Sequence, residues 1–206
     1  MVDLSAQVII NCEAGGSCSG GQPSSVYRFA NTHGIPHMSC EQYEAHNIDS
    51  RAHLCSDFAV CRDCMGPPPP ANETGFDTCW AIDEKDWTHY YASGYGRVSG
   101  VDRMKAELFK NGPISCGIEA TNRFDKYTGG IYEEKLFFPM INHEIAVVGW
   151  GVENGVEYWV GRNSWGTYWG ERGFFRIKMH QNNLGIERDC TYAIPSYEKK
   201  TIYAQA

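Results

Sequence analysis

The 206-residue sequence lacks three features that mark large classes of protein. It has no excess of positive charge, because 18 Lys and Arg stand against 25 Asp and Glu for a formal net charge of −7. Its apolar runs, such as 145–150, are far shorter than the roughly 20 residues that a transmembrane helix needs. It also lacks the low apolar content that is typical of disordered chains, since 42% of its residues are hydrophobic. A nucleic-acid partner, a membrane span and a mainly disordered chain are therefore not expected.

The sequence also has no visible signal peptide, because its first residues contain no basic segment followed by an apolar one. Its nine cysteines nevertheless indicate a disulfide framework of the kind that forms in an oxidising compartment. We expect an N-terminal segment, absent from this sequence, to reconcile the two observations. The odd number of cysteines supports this expectation, because nine cysteines cannot all pair within one chain.

The periodicity of the apolar residues changes near residue 96. Before that point a short helix is predicted from Ser24 to Gly34, residues 4–10 read as the last turns of a longer helix, and residues 38–96 are rich in loops. After it, a helix from Ser99 to Asn111 precedes four predicted strands, at 114–119, 143–150, 156–162 and 173–179. The sequence therefore predicts a two-lobed α+β protein, with a helical, cysteine-rich lobe at 1–96, a β-rich lobe at 97–195 and a tail at 196–206.

One segment of the first lobe has the composition of a surface loop. A run of four prolines, 67–70, favours an extended chain, and Asn72-Glu73-Thr74 follows it as a glycosylation sequon. Asn72 is therefore a candidate glycosylation site.

Two polar segments within apolar surroundings are candidates for chemistry. One contains Asn142 and His143 at the start of a predicted strand, and the other contains Asn163 and Trp165 at the end of the next strand. An Asn carbonyl that accepts a hydrogen bond from Nδ1–H of a histidine orients the ring without adding charge, and an indole can shield that bond. His143, oriented by Asn163, is therefore a candidate general base. The alternative is a buried structural histidine.

The hairpin between these strands places a condition on that pairing. Asn154-Gly155 predicts a two-residue turn, which sets Asn163 opposite Ala146, three residues or about 10 Å along the strand from His143. The pairing therefore requires a longer turn or a β-bulge, at Gly149 or Gly151.

These motifs resemble the C-terminal half of the papain family of cysteine peptidases. The resemblance rests on Asn142-His143, Val147–Gly151, Glu157–Trp159 and Arg162–Gly173. Further motifs at 11–21, 33–36, 111–117 and 127–132 extend it over nearly the whole chain, from about Leu4 to Cys190.

The resemblance implies a papain-like two-lobed fold and cysteine-type proteolysis, of the carboxypeptidase kind that removes single C-terminal residues. His143 is then the catalytic histidine, Asn163 orients it, and Trp165 shields their hydrogen bond from water. The implied substrate-binding residues are Gly20, Gly21, Asn142 and Trp169, the glycines because a peptide can approach their backbone closely. The implied partner is a peptide or protein substrate, bound by a monomer without a cofactor or metal ion, in the lysosome or outside the cell.

The family's nucleophile motif, a Gln followed by Cys-Gly-Ser-Cys-Trp, is not found, and by resemblance it belongs upstream of Leu4. We therefore expect this chain alone to be inactive, because no thioester can form without the thiolate. Thr78-Cys79-Trp80-Ala81 is similar to the residues that follow the nucleophile. Cys79 is only 64 residues before His143, however, which is about half the separation found in papain-like enzymes, and we interpret it as a disulfide partner.

The resemblance implies four disulfides, Cys12–Cys55, Cys40–Cys61, Cys64–Cys79 and Cys116–Cys190, and leaves Cys18 unpaired. Two alternatives remain open. Cys55, Cys61, Cys64 and Cys79 could form a zinc site, because Cys61 and Cys64 have the spacing of zinc ligands. The chain could also be a non-catalytic relative that has lost its nucleophile and binds peptides without cleaving them.

Overall fold

The computed structural model of the chain describes residues 2–17, 19–45, 55–64 and 79–198. The chain divides into two compact units, one formed by Met1–Gly94 with Pro195–Ala206 and the other by Tyr95–Ile194. Cys18, the proline run and Asn72 lie outside the described residues, so their predicted roles stay predictions. Within the described residues, no helix is both long enough and apolar enough to cross a membrane.

The first unit consists of short elements. Its helices are α1 (Ala6–Asn11), α2 (Pro23–Thr32) and α3 (Asp57–Val60). Two small antiparallel sheets accompany them, one formed by β1 (Gly16–Ser17) and β2 (Gly20–Gly21), the other by β3 (Arg62–Cys64) and β4 (Cys79–Ala81). A 3₁₀ turn at Glu84–Asp86 precedes the long strand β5 (His89–Val98).

Helix α1 corrects one prediction. Ser5 has extended backbone angles, and its hydroxyl accepts a hydrogen bond of 3.1 Å from the N–H of Val8 while donating one of 2.7 Å to the carbonyl of Glu41. This is an N-cap, which satisfies a donor in the first turn of the helix. Residues 4–10 are therefore not the last turns of a longer helix, because α1 begins at Ala6 with a cap of its own.

Four disulfides connect the described cysteines in the pattern that the resemblance implies. Three of them lie in the first unit and one in the second, and the pairs are Cys12–Cys55, Cys40–Cys61, Cys64–Cys79 and Cys116–Cys190. The zinc alternative is wrong, because all four of its candidate ligands are in disulfides. The interpretation of Cys79 as a disulfide partner is confirmed.

The second unit has one α-helix, two short 3₁₀ turns and a large sheet. Helix α4 (Val101–Asn111) is followed by five strands, β6 (Ile114–Ile118), β7 (Ile131–Tyr132), β8 (His143–Glu153), β9 (Val156–Arg162) and β10 (Phe174–Lys178). With β5 and β11 (Cys190–Glu198) they form a seven-stranded sheet in the order β5-β11-β6-β8-β9-β10-β7. Strand β11 continues to Glu198, into the stretch that the sequence assigned to a tail.

The core of the second unit lies between α4 and one face of this sheet. Met104 and Leu108 of α4 are buried in it, as the spacing of the helix predicts. Strand β8 contributes Ile145 and Val147, whose partners on β6 are Cys116 and Ile114. Side chains alternate along a strand, so His143 continues this row on the same face of the sheet.

Candidate active site

The site begins with a hairpin whose register is shifted by one residue. At the turn, Asn154 and Gly155 both have positive φ, 51° and 79°, as a two-residue type I′ turn requires. The strands pair in the predicted register from Glu153↔Val156 to Gly149↔Val160, and then a β-bulge between Val147 and Gly149 shifts it. Beyond the bulge, Ala146 is opposite Arg162 and not Asn163.

The bulge decides which face of the sheet Asn163 occupies. Directly opposed residues of an antiparallel pair point to the same face, and successive residues alternate. Without the bulge Asn163 would share the face of Ala146, away from His143. With the bulge it follows Arg162 and lies on the face of Ile145 and His143. The sequence named Gly149 as one position for this bulge, and the irregularity lies next to it.

His143 and Asn163 form a hydrogen bond of 2.8 Å between Nε2 of the imidazole and Oδ1 of the amide. The backbone N–H of Ser164 donates a second hydrogen bond of 2.8 Å to the same Oδ1. Because Oδ1 can only accept, Nε2 of the neutral imidazole carries the proton. The predicted atom is therefore wrong: Nε2, not Nδ1, is held by Asn163. No described residue forms a hydrogen bond with Nδ1, which keeps its lone pair for chemistry.

Asn163 is buried, with 7% of its surface exposed, and its Nδ2 has no hydrogen-bond partner among the described residues. A buried donor without a partner costs about 1–3 kcal/mol. The oxygen of the Asn163 amide accepts both of the hydrogen bonds that this side chain forms with described residues, from His143 and from Ser164.

Aromatic rings cover this hydrogen-bonded pair. The indole of Trp165 stacks on the imidazole of His143, with ring centroids 4.9 Å apart and planes 27° apart. Trp169 packs edge-on against Trp165 at 5.0 Å, and its Nε1–H donates to the carbonyl of Asp125. Phe124, fully buried, contacts both indoles. The imidazole ring is therefore fixed by stacking as well as by its hydrogen bond.

The remaining predicted residues occupy two places. In the second unit, the amide of Asn142 pairs with the backbone of Ala120, accepting from its N–H at 2.8 Å and donating to its carbonyl at 3.4 Å. In the first unit, Gly20 and Gly21 form β2. A Cβ on Gly21 would lie 2.5 Å from the carbonyl oxygen of Gly15, whereas one on Gly20 would meet nothing within 4 Å. The backbone of Gly20 is thus open to a close approach.

Three contributors to the site were not found from the sequence. The N–H of Ser164 and the backbone of Ala120 are main-chain groups, which leave no signal in the residue types. Phe124 did give a weak signal in the sequence, because aromatic residues recur at 124, 127 and 132 and indicate an aromatic cluster.

A carboxylate next to the histidine belongs to the opposite face of β8. Glu144 accepts a hydrogen bond of 2.6 Å from the hydroxyl of Ser115. Loss of hydration raises the pKa of Glu144, the hydrogen bond from Ser115 opposes this, and the nearby Asp189 raises it further. Because its side chain points away from His143, Glu144 does not replace Asn163 as the orienting group.

The described part of the chain supplies a base and no nucleophilic thiol. Its eight cysteines are all in disulfides. The described residues also contain no group of three or more His, Cys, Asp or Glu side chains that could hold a metal ion. What the site can do chemically is accept a proton at Nδ1 of His143 and hold the resulting imidazolium in place.

This site and fold match a known family of enzymes. The family described as papain family cysteine protease matches residues 1–194. The chain belongs to the papain family of cysteine proteases, and the predicted papain-like α+β fold is confirmed.

Among curated relatives, cathepsin Z of Onchocerca volvulus is 44% identical over 201 residues, which cover 93% of this chain and 60% of that protein. The cathepsin B-like cysteine proteinase 5 of Caenorhabditis elegans is 26% identical over 93% of this chain and 59% of its own length. The chain therefore spans about 60% of the length of these relatives.

Solved structures show the same fold. The digestive procathepsin L 3 of the Tenebrio molitor larval midgut superposes with a TM-score of 0.70 at 28% identity, over 93% of this chain and 55% of that one. The procathepsin B S9 of Trypanosoma congolense superposes with a TM-score of 0.71 at 25% identity, over 95% of this chain and 61% of that one.

Proposed function

We propose that this chain carries the histidine and asparagine of a cysteine peptidase of the cathepsin Z type. The observation that supports the proposal is the hydrogen bond between Nε2 of His143 and Oδ1 of Asn163, with Nδ1 left free. In this reading the pair is the catalytic histidine with its orienting residue. Trp165, stacked on the imidazole, keeps water from their hydrogen bond.

During the reaction, Nδ1 of His143 both accepts and donates a proton. Nδ1 takes the proton of a cysteine thiol, which leaves a thiolate paired with imidazolium. The thiolate attacks the peptide carbonyl carbon, and as the C–N bond breaks, Nδ1–H gives its proton to the leaving amine. Nδ1 then takes a proton from the water that hydrolyses the thioester, and the thiol is released with the carboxylic acid.

In this proposal the nucleophilic thiol is not one of the nine cysteines of this sequence. The eight described cysteines are all in disulfides, and Cys18 is not followed by the Trp of the family's nucleophile motif. We therefore propose that the 206-residue chain alone does not cleave peptides. Without the thiolate, proton transfer by His143 has no nucleophile to activate.

The finer features of the proposal follow the similarity to cathepsin Z. We propose a carboxypeptidase that takes peptide or protein substrates and acts as a monomer, with Gly20, Gly21, Asn142 and Trp169 contacting the substrate. The open backbone of Gly20 supports this role for β2. A lysosomal or extracellular location is supported by the four disulfides, which persist in oxidising environments.

The test compares the natural gene product with the 206-residue chain on two peptides of one sequence, one with a free C-terminal carboxylate and one amidated. The natural product should remove single residues from the free peptide and leave the amidated one intact, while the chain alone cleaves neither. His143→Ala should lower the rate by about 10³-fold or more. The matched control His33→Ala, at an exposed position after α2, should leave the rate unchanged.

Different outcomes contradict different parts of the proposal. Full activity of His143→Ala contradicts the assignment of the base. Equal cleavage of the two peptides contradicts only the carboxypeptidase specificity. Binding of the free peptide by the natural product without cleavage supports a second candidate, the non-catalytic peptide-binding protein, which the lack of a free thiol in the described residues favours.

A further inference from the structure

A cavity of the Tyr95–Ile194 unit has a lining rich in arginine. It has a volume of about 330 Å³, and three arginines are among the residues that line it. They are Arg97 near the end of β5, Arg103 in the first turn of α4, and Arg188 just before β11. No residue of the candidate active site lines this cavity.

The charge of this cavity opposes that of the chain. The whole chain carries a formal net charge of −7, yet the cavity wall has three arginines against one acidic residue, Asp189. Within the part of the chain that the structure describes, none of the three arginines forms an ion pair, although Arg62 and Arg176 do. Like charges repel, so three unpaired cations around one cavity are an arrangement that an anion would stabilise.

Arg103 is already held in position. Its Nε donates to the carbonyl of Ser99 at 2.9 Å, and its NH2 group donates to the Ser99 hydroxyl at 3.1 Å. A guanidinium has five N–H donors, so three remain for a ligand. Arg97 and Arg188 are exposed, and their planar guanidinium groups can each present two parallel donors to an oxyanion.

We propose that this cavity binds a tetrahedral dianion, phosphate or sulfate, carried by a small organic molecule. Three positive side chains and one negative side chain give the wall a net charge of about +2, which a dianion neutralises. Arginine is the side chain best suited to phosphate and similar oxyanions, because its fork matches two of their oxygens at once. A volume of about 330 Å³ equals roughly ten water molecules, so an organic group fits beside the anion.

The test is calorimetric titration of the 206-residue chain with inorganic phosphate, sulfate and acetate at one fixed ionic strength. At about pH 7.5 we expect phosphate and sulfate to bind at least about tenfold more tightly than acetate, because two arginines can each engage a tetrahedral dianion bidentately. At about pH 5 the binding of phosphate should weaken, because its second pKa is about 6 and it becomes a monoanion. The binding of sulfate, which stays a dianion, should not weaken. The other charged groups that face the anion are the three arginines and Asp189.

Charge-removing variants locate the binding. Arg97→Gln and Arg188→Gln should each weaken phosphate binding about tenfold or more, because each loses a charge-assisted fork. Arg188→Lys, which keeps the charge and loses the fork, should fall between Arg188→Gln and the unchanged protein. The control is Lys110→Gln, which removes an exposed positive charge at the other end of α4 and should leave binding unchanged.

The proposal is overturned if none of the anions gives heat, if acetate binds as tightly as phosphate, or if Lys110→Gln weakens binding as much as Arg188→Gln.

The same titrations distinguish the two sources of a dianion, a phosphate ester and a sulfate ester. Binding of sulfate but not phosphate at either pH identifies a sulfate ester as the ligand class. Tighter binding of phosphate than sulfate at about pH 7.5 identifies a phosphate ester.

Discussion

The tautomer of His143 follows from its neighbours. Oδ1 of Asn163 is a pure acceptor that also receives the N–H of Ser164, so the imidazole must present Nε2–H to it. The sequence contained both side chains of this pair but not the choice of nitrogen. That choice depends on the orientation of the His143 side chain relative to Asn163, which residue types alone do not give.

Asn163→Ala in the natural gene product should lower kcat about 10²-fold with little change in KM, because a misplaced base slows the reaction without removing a substrate contact. The measurement is steady-state hydrolysis of a peptide with a free C-terminus. Gln42→Ala, which removes an exposed amide, is the control and should behave as the unchanged protein. Equal effects of the two variants on kcat would show that Asn163 has no special role.

The carboxylate of Glu171 provides a prediction about acid stability. Arg176 donates to both of its oxygens, at 2.8–3.2 Å, and the N–H of Gly130 donates at 2.9 Å. The hydrogen bonds from Arg176 hold the pKa of Glu171 below the ordinary 4.5. A folded-state pKa below that of the unfolded chain means that the interaction stabilises the fold above pH 4.5, and this stability is lost as the pH falls through the folded-state pKa.

Glu171→Gln should therefore lower the free energy of unfolding by roughly 1–2 kcal/mol at neutral pH. The expected loss of unfolding free energy lies near the lower end of this range, because the carboxylate of Glu171 is 32% exposed and solvent screens its charge. Urea unfolding at about pH 7 and about pH 3 measures the change, which should shrink at the lower pH. A loss of equal size at both pH values would contradict the assignment. Glu133→Gln, at the more exposed pair with Lys178, should cost less.

At the scale of the elements, strong periodicity was the reliable signal. Helices α2 and α4 and strands β6, β8, β9 and β10 were predicted because each has several residues in one pattern. The pairs β1–β2 and β3–β4 and the strand β7 have only two or three residues per strand, too few to show alternation. Strand β5 contains Gly94 and Gly96, and β11 contains Pro195, residues that are usually depleted from strands.

The geometry of the active site depends on the hairpin of β8 and β9, and only part of that hairpin could be predicted from the sequence. Turn residues 154 and 155 predicted the hairpin, and the need for a bulge could be derived from the distance between His143 and Asn163. The sequence could not choose between the two candidate positions, Gly149 and Gly151, because a bulge moves one residue out of register without requiring a particular residue type. Its effect is large, since a shift of one residue changes the face of every side chain beyond it.

The cap of α1 gives a prediction for this element. Ser5→Ala removes a buried hydroxyl that accepts from Val8 and donates to Glu41, so it should cost about 1–2 kcal/mol of unfolding free energy. Ser56→Ala removes the corresponding cap of α3, where the hydroxyl accepts from Ala59 at 3.3 Å and is exposed, and should cost less. Urea unfolding of both variants gives the comparison, and a larger loss for Ser56→Ala would contradict it.

At the scale of the molecule, the disulfide pattern was predictable only through the resemblance. Nine cysteines allow many pairings, and spacing alone left the zinc site open as an alternative. The family match over residues 1–194 and the four observed pairs agree with one another.

The bond between Cys116 and Cys190 is the most consequential of the four for stability. It closes 74 residues, and both cysteines are fully buried. Replacing both by Ala should lower the unfolding free energy by about 4 kcal/mol through loop entropy, with a further cost for the cavity. The double variant at Cys64 and Cys79, whose bond closes 15 residues, should lose about 3 kcal/mol. Denaturant unfolding measures both, and a smaller loss for the Cys116 pair would contradict the expectation.

The central claim is that His143, oriented by Asn163, activates a thiolate. Alkylation of the natural gene product by iodoacetamide at about pH 5.5 tests it, because an ordinary cysteine with a pKa of about 8.5 hardly reacts there, whereas one paired with imidazolium does. We predict that mass spectrometry finds one alkylated cysteine, outside the eight disulfide-bonded ones, and that His143→Ala abolishes this labelling. Labelling that is absent, or that persists unchanged in His143→Ala, would contradict the claim.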